Sequence, residues 1–231
     1  MMKNKIYLLG LLLLVVFSGC EKDEHEMISV KPEAIGVFVD ARDGHEYKWV
    51  RLGNLDWMVE NLVYGVGDFV EPYYNTDDPD DKQMEDFMRN MEIYGGLYPY
   101  EIALTAAPEG WRVATDEDWK NLESVLGMEP SELDKEGYRG SVQGELMQQD
   151  SVGTGLRMQL GGFFNYYGTR RLTDYMGVYG FFWAMSPEQD EAENVNAVYR
   201  KISYDSPKVY RGTTLKIKQM SIRCVRDAVK E

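Results

Sequence analysis

The residues best equipped for chemistry lie between Gly161 and Trp183. The stretches "GGFFNYYGTRR" and "TDYMGVYGFFW" set Tyr166, Tyr167, Tyr175 and Tyr179 beside Asn165, Arg170, Arg171 and Asp174. Aromatic faces stack on sugar rings, while amides, carboxylates and guanidinium groups bond hydroxyls, so this set suits binding by loops on a rigid scaffold. Roughly half of the aromatics there, a run that includes Phe163 and Phe164, are expected in the core of a glycine-rich sheet rather than at a ligand.

Covalent and metal chemistry have less to work with. The chain has two histidines, His25 and His45, so neither a histidine-based triad nor a zinc cluster can be assembled. With 39 Asp and Glu, abundance makes any particular carboxylate pair uninformative, and no catalytic residue is assigned. Asp77, Asp78, Asp80 and Asp81 cluster as calcium ligands do, but the spacing lacks the central Gly and terminal Glu of an EF-hand. A solvated acidic loop is the expected reading, and no cofactor is expected.

Cysteine usage points to a compartment. Lys3 and Lys5 precede the apolar run Ile6 to Phe17, then Ser18, Gly19 and Cys20. This is the order of a secretory signal peptide, too short to span a bilayer of ~30 Å hydrocarbon as a permanent helix. The exit at Cys20 resembles the lipobox of bacterial lipoproteins, with Phe17 where Leu is more usual. Residues 1–19 are then removed, Cys20 is lipidated and acyl chains anchor the protein to a membrane. The charged stretch "EKDEHE" opens a polar tether over residues 20–33. Its Lys22-Asp23-Glu24 resembles the export signal of Bacteroides-type surface lipoproteins, which implies an outer-membrane lipoprotein exposed at the cell surface. Loss of Lys3 and Lys5 takes the 25 basic residues to 23 against 39 acidic, a net charge of −16. That charge argues against nucleic acid as a partner. Cys224 has no partner left within the chain and reads as a buried, inert thiol.

The elements that must hold these residues begin near Ala34. Ile35, Val37 and Val39 alternate up to an Asp43-Gly44 turn, the strongest short-range hairpin signal. Gly53-Asn54 then turns the chain into the short strand "LDWMVENL". From Tyr64 to Met91 the pattern breaks into Gly, Pro and acidic residues and reads as loop. "YGGLYPYEIALTAAPEGW" suggests a short helix with Leu97, Ile102 and Leu104 facing inward. The clearest helix starts at Thr115, whose spacing to Asp118 approaches a capping box, and carries Trp119, Leu122, Val125 and Leu126 on one stripe. Pro130 to Gly137 is a candidate third helix. Short alternating strands follow, with turn signals at Asp205-Ser206-Pro207 and at Gly212. Met220, Ile222 and Cys224 alternate with Ser221, Arg223 and Val225. Helices followed by antiparallel strands indicate one α+β domain over residues 34–228.

Several fragments, in order from Ile35 to Asp227, resemble one family, the Fibrobacter succinogenes major paralogous domain. They are "DARDGHEYKWVRLGNLDWMVENL", "YNTDD", "YGGLYPYEIAL", "PEGWRVATDEDWKNLESVLG", "LGGFFNYYG", "GVYGFFWAMS" and "SIRCVRD". The resemblance implies a C-type lectin-like fold, related to formylglycine-generating-enzyme-like domains, with short N-terminal helices packed on an antiparallel sheet with long loops. It implies that Trp57, Trp111, Trp119 and Trp183 are core residues and that Glu60 and Asn61 form a buried polar pair. Two positions depart from the family pattern. Ala107 stands where a cysteine is common, so the bridge to the position of Cys224 is lost, and Ala114 stands where Pro is frequent. A lost bridge forgoes ~2–4 kcal/mol that packing must supply.

The family brings no catalytic residue, and the calcium-dependent sugar motif of C-type lectins is missing, since Glu71-Pro72 is followed by Tyr73. The expectation is a non-catalytic surface lipoprotein whose lectin-like domain binds polysaccharide or protein without calcium. A structural or accessory subunit of an envelope protein assembly is the alternative, and a carboxylate-dependent hydrolase the third reading.

Overall fold

The computed structural model describes residues 29–65, 80–167, 170–186 and 194–229, with the side chains of residues 166, 167 and 170–172 left out. The leader, Cys20, most of the tether, and Asp77 and Asp78 lie outside these residues. Among the described residues no helix is long and apolar enough to cross a membrane.

The chain opens as the meander read from its turns. Strands β1 (Ala34–Val39), β2 (Glu46–Leu52) and β3 (Leu55–Met58) pair antiparallel in sequence. Gly44 and Gly53 take positive φ at the two turns, where a side chain is disfavoured. The meander is completed from the far end of the chain. Strand β13 (Cys224–Asp227) lies between β3 and β5 (Arg112–Val113), giving the order β1-β2-β3-β13-β5.

A second sheet, ordered β6-β11-β10-β9, joins Gly137–Arg139, Ser206–Leu215, Asn196–Ser203 and Tyr179–Trp183. A third, ordered β4-β12-β7-β8, joins Tyr98–Pro99, Gln219–Met220, Phe163–Tyr167 and Arg170–Asp174. Every ladder is antiparallel. Isolated parallel bridges, Gly162 to Gly180 and Phe182 to Ser221, stitch the second sheet to the third. Mixed helix and antiparallel strand make an α+β architecture, weighted towards sheet.

The apolar residues of the strands are buried in two cores. In the first, Trp57, Trp119, Leu122, Phe182, Val198, Ile202 and Val225 pack together, with Trp119 edge-on to Trp57 at 5.3 Å. In the second, Tyr47, Met58, Tyr98, Trp183, Ile222 and Cys224 meet. Successive residues of β3 and β13 therefore point into different cores. Trp57, Trp119 and Trp183 are fully enclosed and Trp111 is buried, as the resemblance implies. Ala107 packs against the second core, which holds the buried free thiol of Cys224.

Helix α3 (Asp116–Val125) starts on the expected cap. Thr115 Oγ1 accepts from the Asp118 N–H and the Asp118 carboxylate accepts from the Thr115 N–H, at 3.1 and 2.8 Å. Three arginines from three strands then fasten the helix to the second sheet. Arg200 reaches Asp116 at 2.6 Å and Glu123 at 2.8 Å, Arg139 reaches Glu123 at 2.7 Å, and Arg211 reaches Asp116 at 2.6 Å.

Several local readings are corrected. The end of the Tyr64–Met91 stretch read as loop belongs instead to helix α1 (Asp81–Tyr94), which Asp80 and Gln83 start with a reciprocal capping box. The short helix α2 spans only Tyr100–Ala103; Leu97 is buried ahead of it, Ile102 is partly covered and Leu104 is exposed. Val125 lies at the exposed edge of the α3 stripe. Between Pro130 and Gly137 only one 3-10 turn, Pro130–Glu132, forms before β6 begins. The last short helix, α4, spans Gln143–Gln148. The turn between β10 and β11 falls at Tyr204-Asp205, with Ser206 and Pro207 already in β11, and Gly212 lies inside β11, where a Cβ would meet the Tyr210 ring at 2.8 Å. Arg223, which alternates with Cys224, is fully buried between the two cores.

Candidate functional site

The second sheet turns Phe182, Val198, Ile202 and Val209 towards α3, so alternation points the intervening residues the other way. On that opposite face Tyr138, Tyr210, Lys201 and Phe181 stand directly across four neighbouring strands. Their rings, with those of neighbouring residues, form a connected band. Tyr138 meets Tyr210 edge-on at 5.3 Å, Tyr210 meets Tyr199 at 5.7 Å, and Tyr199 meets Phe181 at 6.0 Å. Phe181 continues to Phe163 at 4.9 Å and to Tyr179 at 6.0 Å, and Tyr175 closes the band at 5.3 Å from Tyr179 and 6.0 Å from Phe163. The band thus crosses from the second sheet to the third and, at strand spacings near 4.8 Å, covers roughly 15 Å of the second.

Its ends are open, with Tyr138 46% and Tyr175 54% exposed, while Phe163 and Phe181 are buried and support the rings above them. Burial pushes the Tyr199 hydroxyl well above the ordinary tyrosine range, helped by its neighbour Tyr210, so it stays protonated. Lys201 sits in the middle. Its Nζ lies 4.6 Å from the ring centroid of Tyr210, 4.7 Å from Tyr138 and 5.1 Å from Tyr179. At the other end Lys218 Nζ lies 4.7 Å from the centroid of Phe163.

The residues expected to bind divide between this band and the hairpin beside it. Tyr175 and Tyr179 belong to the band. Asp174 pairs with Phe163 in the β7–β8 ladder, and Asn165, partly exposed, follows two positions along β7 on the same face as Phe163. Tyr166 pairs with Arg171, and Tyr167 with Arg170, nearer the hairpin tip. Tyr138, Tyr199, Tyr210 and Lys201 were missed. The signal available was a tyrosine two positions from a lysine in "VYRKIS", with "GYR" and "VYRG" on neighbouring strands.

The acidic residues do other work. Asp80 is the cap of α1, and among the described residues no group of three His, Cys, Asp or Glu is placed to hold a metal. The buried carboxylates are bound to guanidinium groups: Asp40 to Arg42, Asp56 to Arg51 and Arg226, Asp118 to Arg112, and Asp116 and Glu123 to the arginines under α3. Such pairing gives these carboxylates a structural role. Asn61 is buried as the resemblance implies, whereas Glu60 is only partly covered and accepts from the Lys48 N–H at 3.1 Å.

Residues 50–226 match the family model described as the Fibrobacter succinogenes major domain. No curated protein and no solved structure gives a significant match.

Proposed function

The chain belongs to the Fibrobacter succinogenes major domain family, and we propose that it is a non-catalytic surface lipoprotein displaying a C-type lectin-like domain for adhesion to polysaccharide. The observation that carries this reading is the band of rings from Tyr138 to Tyr175, open at both ends on one face of a rigid sheet. Tyrosine supplies a flat apolar face and a hydroxyl at little entropic cost, which suits a sugar ring better than a free apolar patch would. Asn165 and Asp174 stand beside the band as hydroxyl partners. Lipidation at Cys20 holds the domain at the outer membrane, and recognition proceeds without calcium.

A glycan array with the purified protein, with and without chelator, tests the reading. Binding retained in chelator and lost in Tyr179→Ala and Tyr210→Ala is the expected result. An array with no signal removes the carbohydrate reading. Protease shaving of intact cells tests the location, since a surface domain is degraded while a periplasmic one survives.

A second reading, an accessory subunit of an envelope assembly, is favoured by strand β1. It is the edge of its sheet and carries Ile35, Val37 and Val39 exposed at 74%, 58% and 52%, without a charge or proline to block pairing. Co-purification of envelope proteins that is abolished by Val37→Lys distinguishes it.

A further inference from the structure

The chain has 39 acidic and 25 basic residues, and among its described lysines Lys120 and Lys135 pair with carboxylates. Lys120 does so three times over, with Asp116, Glu117 and Asp134. The two lysines of the aromatic band do not: among the described residues neither Lys201 nor Lys218 has a carboxylate within ion-pair distance, and each is held against rings instead. A ring fixes an ammonium by its quadrupole without cancelling its charge. Lys201 is thereby positioned against three rings, partly buried, at the centre of the face. Lys218 is partly buried, and burial lowers its pKa against the opposing charge of Asp174, so this ammonium lacks full compensation.

We propose, building on the carbohydrate reading above, that this face selects an anionic polysaccharide, with Lys201 and Lys218 bonding its carboxylate or sulfate groups while the tyrosines stack on its rings. The net charge of the chain repels a polyanion at long range, so capture depends on these local cations and is specific to this face. The same arrangement disfavours an uncharged glucan, which would leave two ammonium groups partly dehydrated without an anion in return.

The test is affinity electrophoresis of the purified protein in gels containing polygalacturonate, a sulfated galactan or an uncharged glucan, at low and high salt. Retardation by an anionic polymer, weakened by salt and at least about tenfold stronger than by the glucan, is expected. Polygalacturonate alone would identify carboxylate as the recognised group, and the galactan alone sulfate. Lys201→Gln with Lys218→Gln should reduce anionic binding about tenfold or more, the scale of one charge-assisted bond, and Lys→Arg at both positions should restore most of it. Thermal melts of each variant separate loss of binding from loss of fold. Equal retardation by glucan and polyanion, or polyanion binding untouched by the double Gln variant in a folded protein, overturns the selectivity and leaves the carbohydrate reading standing. Retardation by none of the three polymers overturns both.

Discussion

Arg223 Nε donates to Asn61 Oδ1 at 2.7 Å in the space between the two cores, and the rest of that guanidinium is spent on backbone carbonyls. Nη1 donates to Met58 at 2.7 Å, to Val59 and to Leu156 at 3.0 Å, while Nη2 donates to Arg157 at 3.1 Å. Asn61 passes the connection on, its Nδ2 donating to the Tyr94 carbonyl at the end of α1 at 2.7 Å. One buried cation therefore joins the end of β3, the segment at Leu156 and Arg157, and the helix. Burial pulls its pKa down to about 9, which leaves it charged at neutral pH. Asn61→Ala orphans the Arg223 Nε–H and removes the bond to the Tyr94 carbonyl, and should cost about 2–3 kcal/mol. Arg223→Lys cannot reproduce the fork and should cost about 3 kcal/mol or more. Urea melts measure both, and an unchanged midpoint in either variant would show that water replaces the bond freely.

Asp116 gives the protein an acid limit. Burial opposes its ionisation, but the hydrogen bond from Arg211 and the charge and hydrogen bond of Arg200 outweigh it and hold the carboxyl well below its ordinary range. A depressed carboxyl contributes stability above its unfolded pKa near 4 and loses that contribution as pH falls towards the folded value. Asp116→Asn should therefore melt well below the parent at neutral pH and approach it as the buffer is taken from about pH 5 downward. Melting curves that stay parallel across that range would assign the acid limit to other groups, Asp40 first, since Arg42 also holds that carboxyl low.

Local rules made the first part of the fold readable. Asp43-Gly44 turns β1 into β2, and Thr115 and Asp118 start α3 where their types and spacing say they should. What resisted reading depends on partners far along the chain. Arg139, Arg200 and Arg223 carry charges that ordinarily face water, yet each is buried because other parts of the chain supply acids or carbonyls to meet it. The candidate face was half legible for the same reason. Tyr175 and Tyr179 stand in one aromatic run, whereas Tyr138, Lys201 and Tyr210 meet only through the β6-β11-β10 order. Helix α1 was hidden by its acidic start, since Asp80 and Asp81 read as a loop until Gln83 is seen as the cap's partner.

Cys224 should be silent to reagents until the fold opens. The thiol is fully buried in the second core, and burial pushes its pKa up to about 12, so little thiolate forms and none is reachable. An aromatic disulfide reagent added to native protein at pH 8 should leave the thiol at Cys224 unmodified for hours, and labelling in urea should follow the unfolding curve. Prompt stoichiometric labelling of Cys224 in the native protein would mean that the second core opens locally.

Tyr175 carries backbone strain at the exposed end of the aromatic band. It is one of two non-glycine residues with positive φ among those described, at 63°, and its carbonyl accepts from the N–H groups of Val178 and Tyr179 at 2.9 and 3.0 Å. A side chain in this region costs about 1–2 kcal/mol, a position glycine would fill without penalty. The ring is more than half exposed and contacts Phe163 and Tyr179. Tyr175→Gly removes the strain but gives the unfolded chain more freedom, so the melting temperature should hold or rise slightly while polysaccharide binding falls. Tyr175→Ala keeps the strain and loses the ring, so both stability and binding should drop. If the Gly variant instead melts as low as the Ala variant, the ring is there to cover the core; if the Gly variant binds as the parent does, the ligand does not reach this end of the band.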